Sequence, residues 1–294
     1  MLHQLPTELS VHIMQTAAHV YKFSDRQSVV NLATSCRTVY NIVAPILYHT
    51  IIVTPNNWSW LQSLATRTET QPLAERIFLH ARSIHNFVPD IELPFGHRLL
   101  ANIESTNACI KDSRFPLAKL KDVHIPDADF RRSVSDQIAP GVLRAVTHIN
   151  GFLPMFKNEP SWPSFFADPV GWMQSLLDNL PAVTHLGLVH DYPFGLWRGS
   201  PADEIVEFDC KAIGMTVGAA LRNKPSLQCI VIRSCGIFAE MRRNDLETIL
   251  RDVNDPRVKV WFDMRPQTDW VEHRALCISD IKEGRTLWTE ASSL

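Results

Sequence analysis

Asn223-Lys224-Pro225-Ser226-Leu227-Gln228-Cys229-Ile230-Val231-Ile232 is the stretch that decides the fold. Asn tolerates the left-handed conformation that ends a helix, and a proline just beyond it cannot continue one. A β-patterned run follows, so the stretch reads as a helix stop leading into a strand. The same order returns at Asn179-Leu180-Pro181 and at Asn254-Asp255-Pro256. Apolar residues then fall at matching offsets, with Val183, Leu186 and Leu188 after the first junction and Leu227, Ile230 and Ile232 after the second. The third is one residue tighter, with Val258, Val260 and Phe262.

Working outward, strands are expected at Thr50–Val53, Arg76–Leu79, Val123–Ile125, Val146–Ile149, His185–Leu188, Cys229–Ile232 and Val258–Phe262. Amphipathic helical patterns lie between them, around Trp58–Leu64, Leu99–Ile103, Trp172–Leu177, Ile213–Leu221 and Leu246–Val253. The chain therefore reads as α/β. The unit helix, Asn-x-Pro, L-x-x-L-x-L is similar to a degenerate leucine-rich repeat, which implies a solenoid with strands on its concave face and helices on its convex one. Some strand separations approach the period of about 20–29 residues and others are longer, so insertions sit between certain strands. A doubly wound α/β domain also alternates strand and helix, but its glycine-rich first turn is missing.

The first fifty residues differ. Leu5, Leu9, Ile13 and Ala17 recur four apart behind Pro6, with Glu8 in the first turn, which predicts a helix. Ser24-x-x-Gln27 reads as a capping box opening a second helix through Val29, Val30, Leu32, Ala33 and Cys36. A third carries Val39, Ile42 and Val43 on one face and is limited by Pro45. Three short helices cannot bury all this apolar surface by themselves, so part of it wants a partner.

These residues resemble the F-box. Leu5-Pro6-x-Glu8-Leu9 with Ile13-Met14, then Leu32-x-x-Ser35-Cys36-Arg37-x-x-Tyr40, then Ala44-Pro45-x-Leu47-Tyr48 with Thr50 and Ile51, have the order and spacing of the family's three elements. The likeness is greatest to the F-box-like proteins of mushroom-type fungi. It implies that residues 1–50 form a three-helix F-box that docks, through Leu5, Pro6, Leu9, Ile13, Leu32, Cys36 and Tyr40, onto the Skp-family adaptor of a cullin-RING ubiquitin ligase. Residues 51–294 are then an irregular leucine-rich-repeat-like α/β array with a C-terminal helix, and such arrays commonly follow an F-box and present substrate.

Composition narrows the function further. A formal net charge of −2 gives no basic field to draw the chain onto a polyanion, which argues against a nucleic-acid partner. Uninterrupted apolar runs such as Cys229–Ile232 fall far short of the roughly 18 residues of a membrane span. The opening residues show no secretory signal, so a cytoplasmic or nuclear location is expected. Six scattered cysteines without a C-x-x-C pair fit reduced thiols better than a disulfide framework or a zinc site. Nineteen prolines against eleven glycines disfavour a glycine-dependent phosphate loop, so no cofactor is expected.

No common catalytic motif is present, and no catalytic residue is assigned. His185, His190 and Asp191 are the densest candidate group, and an α/β enzyme built on them is the third reading; no further metal ligand is identifiable by spacing. Arg131-Arg132 and Arg242-Arg243 read as solvated pairs. Two aromatic loops offer anchors for a target protein: Phe156, Trp162 and Phe165 among prolines, and Tyr192, Phe194, Trp197 and Arg198. The expected protein is thus a non-enzymatic receptor, with the loops or concave strands recognising substrate. The second reading is an interaction scaffold whose F-box helices pack on its own array.

Overall fold

The computed structural model describes residues 6–87, 99–107, 119–125, 140–153, 167–190, 202–265 and 270–293. The chain divides into two compact units, Met1–Ala108 with Arg114–Lys119, and Cys109–Ser113 with Leu120–Leu294. Both are mixed α/β.

In the first unit, α1 (Thr7–Tyr21), α2 (Arg26–Thr34) and α3 (Arg37–Leu47) surround a core of Ala18, Val29, Ala33, Val43, Ile46 and Leu47. Pro6 stands at the N-cap of α1, and the Ser10 N–H donates to its carbonyl. The cap of α2 is Asp25 rather than Ser24: its carboxylate accepts from the Ser28 N–H at 3.2 Å, while the Ser24 hydroxyl turns back to the Val20 carbonyl. A carboxylate is the better acceptor at a helix start, since it also meets the dipole. Helix α3 runs through Pro45 and ends at Leu47.

Strand β1 (Thr50–Val53) pairs in parallel with β2 (Ser83–Asn86), which pairs in parallel with β3 (Ser105–Thr106). Between β1 and β2 lie α4 (Trp58–Thr66) and α5 (Gln71–His80). Arg76–Leu79 therefore belongs to a helix, not a strand. The reason is periodicity: Ala74, Ile77 and Phe78 are buried at helical spacing while Leu79 is 58% exposed. The segment around Leu99–Ile103 forms a turn instead of the expected helix.

In the second unit, β4 (Asp122–Ile125), β5 (His148–Phe152), β6 (His185–His190), β7 (Cys229–Cys235) and β8 (Val258–Asp263) are parallel neighbours in chain order. The strand expected from Val146 starts two residues later. A doubly wound sheet reverses its order at a switch point. These five strands do not. Helices α6 (Pro140–Leu143), α7 (Pro169–Asp178), α8 (Ala202–Asn223), α9 (Gly236–Met241) and α10 (Arg243–Val253) connect them. After β8 come α11 (Trp270–Glu283), α12 (Leu287–Glu290) and β9 (Ser292–Ser293), the last antiparallel to β8.

One backbone motif recurs at the strand entrances, where a single carbonyl accepts two successive N–H groups of the following turn. The His49 carbonyl accepts from Arg82 and Ser83, and the Arg82 carbonyl from Glu104 and Ser105. In the second unit the Lys121 carbonyl accepts from Thr147 and His148, that of Thr147 from Thr184 and His185, and that of Thr184 from Gln228 and Cys229. Each turn thereby ties its own entrance to the one before it.

The Asn-x-Pro junctions do end helices, by different means. Only Asn254 takes the left-handed conformation, at φ 49°. Asn179 stays right-handed at φ −82° and donates its side-chain amide to the Ser175 carbonyl. Asn223 is the last residue of α8. The third junction is tighter than expected: Val258 lies opposite Ile230, and Val260 opposite Ile232. Arg257 causes this, since its guanidinium grips Asp255 at 2.7 Å and reaches the Leu227 carbonyl, and the Val258 N–H closes a turn on Asp255. The strand starts at once.

Candidate functional site

Two surfaces stand out, one in each unit: the first carries part of the residues expected to meet an adaptor, and the second includes His185. On α1, Leu9, Ile13 and Val20 share a face at helical spacing, with Pro6 one turn ahead, and Ala18 points the opposite way into the core. Leu9 is 43%, Ile13 48% and Val20 60% exposed. Of α1 only Ala18 is buried, while Leu9, Ile13 and Val20 are left outside. Cys36, the N-cap of α3, is also exposed. Leu32 and Tyr40 pack against the trio's core, so they brace the helices rather than standing free. Leu5 lies outside the described residues.

The second surface is one face of β4–β8. Strand alternation and register set His124, His148, Asn150, His185, Gly187, Arg233, Trp261 and Asp263 on this face. The other face carries the aliphatic core, including Ile149, Leu186, Leu188, Ile230 and Ile232. Burial alternates along β4, as one covered face requires, but every residue from Ile230 to Cys235 in β7 is buried. Both faces of β7 are therefore covered.

The cover is the segment after β8. Asp263 accepts from Arg233 and from Arg265, each at 2.6 Å. Asp280 of α11 joins the same guanidiniums, at 2.6 Å from Arg265 and 3.4 Å from Arg233, and Arg285 adds a contact to Asp280 at 3.2 Å. Trp261 lies beneath Arg233, 4.1 Å from the guanidinium carbon to the ring centroid. Farther along, the His148 and His185 rings stack at 3.9 Å, and Trp288 meets both edge-on at 5.6 Å. Gly187 completes the seat: a Cβ there would collide with the side chains of Leu287 and Asn150.

Burial shapes the titration. It would raise the Asp263 carboxyl, but Arg265 and Arg233 outweigh it and hold the group at about 2. Burial pushes His148 down to about 4, helped by His185 and Lys121. Burial also takes His124 to about 4 against the opposing effect of its bond to Asn150, and takes His190 to about 3. These neutral imidazoles make the fold acid-sensitive. Below the ordinary value of 6.5 the unfolded chain binds protons that the folded chain refuses, so stability falls between pH 6.5 and 4. The Asp263 contribution disappears lower, as pH drops from 3.8 towards 2. Melting temperature followed by circular dichroism should be flat above pH 6.5 and decline before carboxylates titrate; a flat curve down to pH 4 would contradict this.

His185 and His190 do not form a common site. An odd separation sets them on opposite faces of β6, and His190 is buried on the aliphatic side. Asp191 lies outside the described residues, as do Phe156, Trp162, Phe165, Tyr192, Phe194, Trp197 and Arg198. Among the described residues no group of three or more His, Cys, Asp or Glu is placed to hold a metal ion. Cys229 and Cys235 are not joined in a disulfide. Arg243 pairs with Glu247 and Arg242 with Asp245 on the surface of α10.

The ion cluster is the feature that motif reading missed. Arg233 within Cys229-Ile230-Val231-Ile232-Arg233-Ser234-Cys235 was its signal, since a charge inside an apolar strand needs buried partners. A second signal is Val146-Thr147-His148-Ile149 against Val183-Thr184-His185-Leu186, a repeat that stacks the histidines.

No protein-family model matches the chain, and no curated protein or solved structure gives a significant match. Among the described residues no helix is long and apolar enough to cross a membrane.

Proposed function

We propose that this chain is the substrate-recognition subunit of a Skp–cullin–F-box type ubiquitin ligase, working in the cytoplasm or nucleus. The helices α1–α3 are its F-box and dock a Skp-family adaptor; the strands and helices that follow form a leucine-rich-repeat-like array that holds a target protein. Ubiquitin transfer belongs to the partner subunits, so the chain is not an enzyme and takes no cofactor. The observation that carries the reading is the uncovered apolar stripe of Leu9, Ile13 and Val20 on a helix whose opposite side already has its core. Chain-ordered parallel strands with a repeated carbonyl motif support the array. The alternative, a scaffold that packs these helices on its own array, predicts protection of Leu9 and Ile13 from solvent and no adaptor complex.

Co-expression with a Skp-family adaptor is the test. The wild-type chain is expected to co-purify with it. Leu9→Asp with Ile13→Asp should abolish the complex while shifting unfolding free energy by less than about 0.5 kcal/mol per site, as exposed positions do. A wild-type chain that stays monomeric beside excess adaptor defeats the proposal.

A further inference from the structure

The cover over β5–β8 is attached in an unusual way. Among the described residues of α11, those fully buried are His273 and Asp280, one face of the helix and both polar. Leu276, Ile278 and Ile281 remain partly exposed. In α12 the buried side chain is Leu287 alone, and β9 adds two residues of pairing to β8. By contrast α7 buries Trp172, Met173, Leu176 and Leu177, and α10 buries Leu246 and Leu250.

Buried ion pairs are weak glue. Desolvating both charges consumes most of their attraction, and apolar replacements of the same shape are often neutral or better. A segment that uses Asp280 and Trp288 where Leu would hold more firmly is suited to leaving. The face beneath has its own chemistry. It presents Arg233 and Arg265 against Asp263, with Lys259 on the same side of β8 and close enough to depress His185. Positive charge is in excess. Among the described residues nothing accepts from the Arg233 Nε, although the residue is only 8% exposed. Next to this lie the paired imidazoles and the bare backbone of Gly187.

We propose that this face is a peptide-binding surface kept closed by residues 270–293, and that its outside partner is a protein segment presenting a carboxylate and an indole in the spacing of Asp280 and Trp288. The covering segment is the template for what it excludes. The carboxylate enters the Arg233–Arg265 fork, and the aromatic takes the edge-on seat against His148 and His185. The proposal uses the receptor reading above only in calling that partner a substrate.

The test needs no adaptor, so its failure is distinct from failure of adaptor docking. A fluorescent peptide of residues 270–293 is titrated into the full chain and into its Asp280→Ala/Trp288→Ala variant. In the wild type the tethered segment competes at an effective concentration on the order of millimolar. Freed of that competition, the variant should bind the peptide on the order of tenfold more tightly or better. A peptide bearing the same two substitutions should not bind. Equal binding by a folded variant and the wild type overturns the proposal, as does a wild-type dimer formed by exchanging the segment between copies. Hydrogen exchange on the wild type supplies an independent measure should the variant not fold. Amides of Leu276–Ile281 are expected to exchange by local opening while those of Leu246–Leu250 stay protected. Exchange of both only through global unfolding would overturn the proposal.

Discussion

Asp263→Ala is expected to lower the unfolding free energy by about 3–5 kcal/mol, the cost of breaking a buried pair and stranding its partner. Asp263 takes both Arg233 and Arg265 through four hydrogen bonds, one of them from the Arg265 backbone N–H. The two arginines fare differently without it. Arg265 keeps Asp280 at 2.6 Å and has solvent within reach. Among the described residues Arg233 keeps the longer 3.4 Å contact to Asp280, over the Trp261 ring. Most of the loss therefore comes from Arg233. Urea denaturation gives the value, and Asp263→Asn should fall between the variant and the wild type because it retains hydrogen-bond acceptance without charge. A loss below about 1 kcal/mol would mean that Arg233 finds water or a new partner, contrary to the burial described.

Trp172→Ala is expected to cost about 3–5 kcal/mol by a different route, the loss of a large buried side chain and the cavity it leaves. Trp172 is the largest of the fully buried side chains and lies on α7, which packs on α8. Its helix is well started: the Asp168 carboxylate accepts the Gly171 N–H at 2.8 Å, with Pro169 in the first turn. The defect is one of packing, not of helix formation. Since each turn rests chiefly on its neighbours, hydrogen-exchange protection should fall in α7 and α8 and persist longer in α10. A uniform loss across all three helices would contradict neighbour-limited stability.

Much of this architecture is legible in the residues. Apolar runs at His185–Leu188, Cys229–Ile232 and Val258–Phe262 mark strands because both faces there are buried or nearly so. Helices at Trp58, Trp172 and Leu246 follow from periodicity. The misreading of Arg76–Leu79 has a local cause: Ile77-Phe78-Leu79 has the look of a strand, and only the burial of Ala74 one turn earlier reveals the helix. Short strands such as Ser105–Thr106 carry no pattern at all, since two residues set no period. The covered face was hidden for a further reason. Asp263, Asp280 and Trp288 meet their partners only through the register of strands distant in sequence, which no local window contains.

The order of the elements along the chain gives the covering segment a last consequence. Strands β5–β8 all precede residues 270–293 in the chain, so the strands that bring Arg233 to Asp263 pair without any residue of the cover. Without α11, Arg233 and Asp263 pair in water, where the pairing gains little. They lose their hydration only when α11 docks. Whenever the cover lifts, these two charges regain water, so opening the face costs less than uncovering an apolar one of equal area.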